Sequence, residues 1–141
     1  MIEIGAGSRV YVDTNIFIYF VEQPSEFHGR VRDVFLHVRD VGATLHTSEI
    51  TIAECLHKPC RVNDIRLIRT YELLFEQSGA IELLALNGAL TKRAAAMGGP
   101  LGLKLIDAIH FLSALDADCD VFLSSDGKFK STESLKVVTL P

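Results

Sequence analysis

The feature that most constrains the fold is the alternation of short, β-rich apolar runs with longer segments of helical period. The first run, Arg9 to Asp13, is typical of a buried strand. The clearest helical pattern has apolar residues at i, i+3, i+4 and i+7, namely Val31, Val34, Phe35 and Val38. Strands that alternate with helices pair in parallel through right-handed crossovers. The sequence therefore predicts a three-layer α/β/α fold with a central, mainly parallel sheet of about four to five strands.

The predicted elements follow this alternation along the chain. Strands are expected at 9–13, 43–47, 80–86, 120–124 and 135–140, and helices at 16–20, 25–40, 50–56, 63–78, 87–97 and 103–115. Ser48, Asn63 and Asn87 are predicted helix caps, and Pro59 is expected to end the third helix. The apolar run at 80–86 predicts a strand covered on both faces, and the glycines and proline of 98–102 predict a flexible loop.

Length and composition favour one soluble domain. The 141 residues, 48% of them hydrophobic, suffice for a single core and predict one domain over 1–141. No apolar stretch is long enough to cross a membrane and no signal peptide precedes the first strand, so a cytoplasmic protein is expected. Three cysteines are too few for a disulfide scaffold. The net charge of −4 argues, at first, against a nucleic-acid partner.

Four acidic residues occupy positions that suggest a site. Asp13 ends the first predicted strand and Asp126 follows the fourth, and the carboxyl ends of parallel strands share one edge of a sheet. Glu54 and Asp107 lie within otherwise apolar helix faces. Asp13 and Asp126 alone can be caps or turn residues, and Glu54 alone can be a solvated helix residue. Asp107 favours a site, because its own helical turn offers only Lys104 as a basic partner.

Together, the four acids and their neighbours form a recognisable pattern. The sequence reads Val-Asp-Thr-Asn-Ile around Asp13, Leu-Ile-Asp-Ala-Ile-His around Asp107 and Ser-Ser-Asp up to Asp126, and Glu54 lies in the helix after the second strand. In order, spacing and local context, this pattern resembles the PIN-domain ribonucleases, in particular the VapC-type toxins of bacterial and archaeal toxin–antitoxin pairs. The resemblance covers essentially the whole chain, from Val10 to the final strand.

The resemblance implies a PIN-like fold and a nuclease site that holds Mg²⁺ or Mn²⁺, as one or two ions. The acids that match the family's metal-holding residues are Asp13, Glu54, Asp107 and Asp126. The residues that match its supporting hydroxyl and amide groups are Thr14, Asn15 and Ser124. One departure is Ser125, which has no amide where many relatives carry one.

Elementary electrostatics agrees with a metal site. Two carboxylates about 4 Å apart repel by about 4 kcal/mol at an effective dielectric constant of about 20, so four of them together need a cation. Oxygen ligands select a hard divalent ion, which can orient an attacking water and neutralise the scissile phosphate. We expect Asp13 and Asp107 to be direct ligands. Glu54 and Asp126 are expected to bind directly or through water.

The net charge of −4 does not exclude RNA binding if basic residues are concentrated around the acidic site. The predicted RNA contacts are Arg61, Lys104 and Lys128, with further candidates at Lys58, Arg66, Arg69 and Lys130. Without the four metal-holding acids, 18 − 4 = 14 acidic residues balance 14 basic ones. The overall charge therefore does not exclude an RNA substrate.

Other chemical signals are weaker. His110 follows Asp107 by three residues on the same helix face. It could support a metal ligand or carry a proton, but a core or interface histidine is favoured. Cys55, His57 and Cys60 match no zinc spacing. The residue two positions after the first aspartate is an amide, not the second acid that a haloacid-dehalogenase-type enzyme needs, and no glycine-rich phosphate loop is present.

Three functions remain open from the sequence. The favoured one is a metal-dependent endoribonuclease that is the toxin of a toxin–antitoxin pair, and the resemblance implies a cognate antitoxin and a homodimer. An antitoxin segment could lie between the helices at 25–40 and 63–78 and place an Arg or Lys among the acids. The alternatives are a noncatalytic PIN-like domain that binds RNA or protein, and a housekeeping RNA-processing nuclease. A short chain without an appended RNA-binding domain favours the toxin.

Overall fold

A parallel sheet forms the centre of the computed structural model, which describes residues 4–22 and 26–140. The strands are β1 (Arg9–Val12), β2 (Thr44–Ser48), β3 (Ile81–Leu84), β4 (Val121–Ser124) and β5 (Lys136–Thr139). The helices are α1 (Thr14–Glu22), α2 (Glu26–Asp40), α3 (Glu49–Arg61), α4 (Ile65–Glu72), α5 (Gly88–Leu101) and α6 (Leu105–Asp116). A π-helical segment, Leu73–Gln77, continues α4. Within the described ranges, no helix has the length and apolar character needed to cross a membrane.

The strand order is β3-β2-β1-β4-β5, and every adjacent pair is parallel. The chain builds outward from β1 to β2 and β3, and then adds β4 and β5 on the other side of β1. The order therefore reverses between β1 and β4. In open parallel sheets, ligands bind at the carboxyl ends of the strands at such a switch point. The prediction of a mainly parallel sheet is confirmed.

Side chains that alternate along β1 point to separate cores on the two faces of the sheet. Val12 belongs to one core with Phe17 of α1 and Val31 of α2. Tyr11 belongs to the opposite core with Phe111 of α6. Because helices cover both faces, the three-layer α/β/α prediction is also confirmed.

Two of the three predicted helix caps are correct. The side chains of Ser48 and Asn87 each accept a backbone N–H in the first turn of α3 and α5. At α4 the cap is Asp64, and Asn63 precedes it with a φ of 58°, a left-handed conformation that asparagine tolerates. The predicted helix at 63–78 is α4 followed by the π-helical segment. The predicted helix start at 25 lies outside the described residues.

Two predictions are wrong: the end of the third helix at Pro59 and the burial of the strand at 80–86. α3 continues past Pro59 to Arg61, because a proline this close to the end of a helix removes only one of its last hydrogen bonds. The apolar run at 80–86 is not covered on both faces. Its strand, β3, lies at the edge of the sheet, and only Ile81 of the strand is buried. Apolar composition alone does not distinguish an edge strand from a central one.

The predicted flexible loop at 98–102 is helical instead. α5 runs through Gly98 to Leu101, and Gly102 ends it in the left-handed conformation with a φ of 68°. The Leu103 N–H donates to the Gly98 carbonyl at 2.8 Å in this turn. A Cβ at Gly98 would lie 3.0 Å from the Leu103 carbonyl oxygen and 3.7 Å from the Cβ of Ala108 in α6. This glycine therefore permits a close contact between α5 and α6.

Gly98→Ala is expected to be less stable than Gly99→Ala. A Cβ at Gly99 would meet nothing within 4 Å. Alanine there gains about 0.5–1 kcal/mol of helix propensity over glycine. A Cβ at Gly98 must push the following turn away, and overpacking costs about 1–3 kcal/mol. Urea unfolding measures the difference, and equal stabilities of the two variants would contradict the close contact.

Candidate active site

Asp13 lies at the carboxyl end of β1, the middle strand, and is almost fully buried. Its Oδ1 accepts the Thr14 N–H at 2.9 Å, and its Oδ2 accepts the Ser124 hydroxyl at 2.9 Å from the end of β4. Burial raises the pKa of Asp13 more than His110 and the two hydrogen bonds lower it. A carboxyl group held where its charge is disfavoured is typical of a functional site.

Glu54 reaches the same place from α3. Its Oε1 accepts hydrogen bonds from the Thr14 hydroxyl at 2.8 Å and from His110 Nε2 at 2.6 Å. Burial acts to raise the pKa of Glu54, but the hydrogen bonds from His110 and Thr14, together with the positive charge of Lys128, outweigh it and hold this pKa below its ordinary value. Within the described residues, Oε2 has no hydrogen-bond partner, so this oxygen is available to a ligand.

His110, for which the sequence favours a core or interface position, is buried and also connects the residues of this site. Its Nε2 lies 3.9 Å from Asp13 Oδ1, and its Nδ1 lies 2.7 Å from the Tyr11 hydroxyl. The Ser48 N–H donates to the Tyr11 hydroxyl. The hydroxyl can therefore donate its own proton to Nδ1, which leaves an Nε2–H to donate to Glu54.

Two spacings in the sequence bear on the position of His110. Tyr11 and Asp13 are two residues apart at the end of a strand and point to the same face of the sheet. Asp107 and His110 are three residues apart and share a face of α6. Neither spacing reveals that Tyr11 meets His110, because these residues are 99 positions apart in the chain.

Asp107 and Asp126 form the other side of the site, with Lys128 between them. Lys128 Nζ lies 2.7 Å from Asp107 Oδ2 and 3.0 Å from Asp126 Oδ2. The hydrogen bond to Asp107 raises the pKa of Lys128, and the hydrogen bond from Lys128 lowers the pKa of Asp126. The Asp126 N–H donates to Ser124 Oγ at 3.0 Å. The Ser124 hydroxyl thus links Asp126 to Asp13.

The four predicted acids therefore lie at one edge of the sheet as two linked pairs. The Ser124 hydroxyl connects the pairs, since it donates to Asp13 Oδ2 and accepts the Asp126 N–H. Lys128, predicted to contact RNA, pairs with acids in this structure. Within the described residues, three other predicted site residues are exposed and make no hydrogen bond or ion pair with these acids: Asn15, Arg61 and Lys104.

The donor set suits a hard divalent cation in its chemistry. Carboxylate oxygens are the ligands that Mg²⁺ and Mn²⁺ prefer. In the part of the chain that the structure describes, however, no three acidic, histidine or cysteine side chains converge as a ready metal site. The cation between Asp107 and Asp126 is the ammonium group of Lys128. The roles of the acids as metal ligands therefore stay predictions.

The cysteines offer no alternative metal site. Cys55 is buried, and burial raises the pKa of its thiol, which disfavours the thiolate that a metal needs. Cys60 and His57 are exposed. Across residues 4–22 and 26–140, these side chains do not gather into a metal-binding group.

Three solved structures have a similar fold. A chain of VapBC2 from Rickettsia felis, solved bound to a promoter DNA fragment, aligns over 93% of this chain and 98% of its own, with 14% identity and a TM-score of 0.67. A chain of a toxin–antitoxin complex from Klebsiella pneumoniae aligns over 92% and 96%, with 20% identity and a TM-score of 0.66. VapC20 from Mycobacterium tuberculosis, a toxin that cleaves the sarcin–ricin loop, aligns over 80% and 86%, with 13% identity and a TM-score of 0.65.

Identities this low show the common fold alone. No curated protein matches the sequence significantly. The sequence model of the PIN domain, in contrast, matches residues 10–135, which include all four acids of the site. This chain therefore belongs to the PIN domain family.

Proposed function

We propose that this chain is an endoribonuclease that depends on Mg²⁺ or Mn²⁺ and acts as the toxin of a toxin–antitoxin pair. The observation that carries the proposal is the buried Asp13 at the end of the middle strand, linked to three further acids. Membership of the PIN domain family supports a nuclease. The similarity to a toxin that cleaves the sarcin–ricin loop supports RNA as the substrate.

The acids would hold one or two ions. Asp13 and Asp107 would bind directly, and Glu54 and Asp126 would bind directly or through water, since Mg²⁺ usually keeps several waters. When bound, the ion supplies a lowered pKa for a water and neutralises charge on the scissile phosphate.

The surrounding residues hold these acids in fixed orientations. The Thr14 N–H and the Ser124 hydroxyl each bind one oxygen of Asp13, which fixes the plane of its carboxylate. The Thr14 hydroxyl and His110 both bind Oε1 of Glu54, which leaves Oε2 to accept a proton from the attacking water. The lowered pKa of Glu54 keeps this carboxylate ionised at neutral pH, so Oε2 carries no proton of its own.

RNA cleavage with and without a chelator tests the proposal. The purified protein is expected to cut an RNA that contains the sarcin–ricin loop in Mg²⁺ or Mn²⁺, to stop in EDTA and to resume when the ion is restored. Cleavage that continues in EDTA would contradict metal dependence. A noncatalytic PIN-like domain would bind the RNA without cutting it under any of these conditions.

A basic stripe on α3 leads away from Glu54. Lys58 and Arg61 follow Glu54 by four and seven residues, so the three side chains share one face of the helix. Both basic residues are exposed, and neither has an ion-pair partner in the described part of the chain. We propose that this stripe binds phosphates of the RNA on one side of the cleavage site.

Arg61→Ser is expected to weaken binding of single-stranded RNA and to reduce its salt dependence. Loss of one phosphate contact lowers the slope of log K against log salt by about 0.7. Fluorescence anisotropy in EDTA measures this slope while cleavage is suppressed. Lys92→Ser is the matched control, because Lys92 is an exposed basic residue on α5. Equal effects of the two substitutions would argue against the stripe.

An apolar groove lies between α2, the π-helical segment and the β2–β3 edge of the sheet. Its volume is about 600 Å³, and its apolar lining includes Phe20, Phe35, Leu36, Leu74, Ala80 and Ile81. Arg32 and Arg39 also line it. The groove lies between the helices at 25–40 and 63–78, where the sequence predicts an antitoxin site.

We propose that an amphipathic antitoxin segment binds this groove with apolar side chains on the lining and carboxylates near the two arginines. The similarity to chains of VapBC2 and of a toxin–antitoxin complex supports such a partner. The homodimer implied by the resemblance also stays a proposal.

Leu36→Glu is expected to weaken antitoxin binding by about tenfold or more, and Leu73→Glu is not. Leu36 lines the groove and is 40% exposed, whereas Leu73 is 55% exposed and lies outside it. Burial of a leucine contributes about 1.5–3 kcal/mol, so its loss costs about tenfold or more in affinity. The assay is co-purification with a candidate antitoxin, namely the product of any small reading frame that is found beside this gene. Equal recovery of the two variants would rule out the groove.

A further inference from the structure

The Lys128 ammonium points into the candidate site, where it contacts two of the four acids. Its ammonium lies 2.7 Å from Asp107 Oδ2 and 3.0 Å from Asp126 Oδ2. Its backbone N–H donates to Asp126 Oδ1 at 3.0 Å, so Asp126 is held at both oxygens by one residue. The ammonium also lies 5.7 Å from the centre of the Phe129 ring, over its face. Lys128 is therefore anchored between two acids that come from α6 and from the turn after β4.

These contacts make Lys128 the counter-charge of a pair of proposed metal ligands. Asp107 and Asp126 would repel each other without a cation between them. A divalent ion offers two charges, whereas the ammonium offers one. The lysine side chain is 36% exposed and has a flexible stem, so its ion pairs are weak enough to exchange. An ammonium and a divalent ion cannot occupy the same space between the two carboxylates.

We propose that Lys128 is an internal counter-cation that competes with the divalent ion for Asp107 and Asp126. Without metal, the single charge of Lys128 offsets part of the repulsion between the two acids and keeps them together. When the metal binds, the Lys128 ammonium leaves these oxygens, and the metal affinity of the protein is lower than the four acids alone would give. This inference rests on the proposed metal-dependent function.

Lys128→Met tests the competition, because methionine keeps a long, flexible side chain and removes the charge. Lys130→Met is the matched control. Lys130 is exposed, lies two residues away and has no ion-pair partner within the described residues. Mn²⁺ binding to the purified proteins, measured by electron paramagnetic resonance at constant ionic strength and without RNA, gives the affinities directly.

Lys128→Met is expected to bind Mn²⁺ about tenfold more tightly than the wild type, since two ion pairs no longer have to be displaced. Lys130→Met is expected to bind Mn²⁺ as the wild type does. Equal affinities of all three proteins, or weaker binding by Lys128→Met, would overturn the competition while leaving the metal site intact. An equal gain in both variants would also overturn it, because a general charge effect would then explain the result. No Mn²⁺ binding by any of them would overturn the proposed metal-dependent function as well.

Thermal unfolding gives a second readout that is independent of catalysis. In EDTA, Lys128→Met is expected to melt below the wild type, because Asp107 and Asp126 then lack a counter-charge. Saturating Mn²⁺ is expected to raise the melting temperature of Lys128→Met more than that of the wild type. An equal rise in the melting temperature of both proteins would show that Lys128 does not compete with the ion for Asp107 and Asp126.

Discussion

Asp13→Asn is expected to reduce RNA cleavage by about 10³-fold or more and to leave the fold intact. Loss of a residue that only supports a metal ligand costs about 10–100-fold, and loss of a direct ligand is expected to cost more. Asp107→Asn is expected to have a similar effect. Ser124→Ala removes the hydroxyl that donates to Asp13 Oδ2 and accepts the Asp126 N–H, and it is expected to reduce cleavage by about 10–100-fold. Initial rates on one labelled RNA measure all three, and wild-type rates for Asp13→Asn and Asp107→Asn would contradict the site.

Stability separates this loss of activity from a loss of fold. Because burial raises the pKa of Asp13, the folded protein binds the Asp13 proton more tightly than the unfolded chain does. The wild type therefore loses stability as the pH rises from the ordinary pKa of aspartate to the higher pKa of Asp13 in the folded protein. Asp13→Asn lacks this loss, so at neutral pH it is expected to be at least as stable as the wild type. Urea unfolding at several pH values measures the difference.

His110→Ala is expected to reduce both stability and activity. The buried imidazole binds Tyr11, Thr14 and Glu54. Its removal leaves a cavity and takes away the acceptor of the Tyr11 O–H, which still accepts the Ser48 N–H, at a cost of about 3 kcal/mol in the free energy of unfolding. We expect cleavage to fall by about 10–100-fold, because His110 positions Glu54 rather than touching the RNA. His57→Ala, at an exposed histidine of α3, is the control and should change neither quantity.

The pH profile distinguishes positioning of Glu54 from a purely structural role for His110. The contacts of His110 hold the pKa of Glu54 below its ordinary value, so without them this pKa rises. The acidic limb of the rate profile is then expected to move to higher pH in His110→Ala. His110→Gln, which keeps a donor for Glu54, should restore part of the activity. An unchanged acidic limb in His110→Ala would show that His110 acts through stability alone.

The layers of the fold can be predicted from the sequence because hydrophobic periodicity records which face of each element is buried. The errors arise where a local signal depends on distant neighbours. Gly98 and Pro100 are typical of a loop, but both lie within helix α5. Gly98 is needed there because a side chain would crowd the Leu103 carbonyl oxygen, just before the start of α6. The run at 80–86 looks central, but the strand order places β3 at the edge.

The position of the candidate site could also be predicted, whereas its internal contacts could not. Asp13 and Asp126 follow parallel strands, whose carboxyl ends must lie at the same end of the sheet. The contact of His110 with Tyr11 and the bridge from Lys128 to Asp107 join different elements, and no local pattern records them. From the sequence alone, Lys128 is therefore predicted to be a surface lysine that contacts RNA. In the structure, it forms ion pairs with two acids.

Cleavage in ¹⁸O-labelled water, followed by mass spectrometry of the RNA ends, tests the central claim most directly. If water attacks the phosphodiester, as the four acids and the proposed ion require, the products carry a linear terminal phosphate with one ¹⁸O atom, and they form only when Mg²⁺ or Mn²⁺ is present. Products that end in an unlabelled 2′,3′-cyclic phosphate and form in EDTA would mean that the ribose hydroxyl is the nucleophile, and would contradict the account.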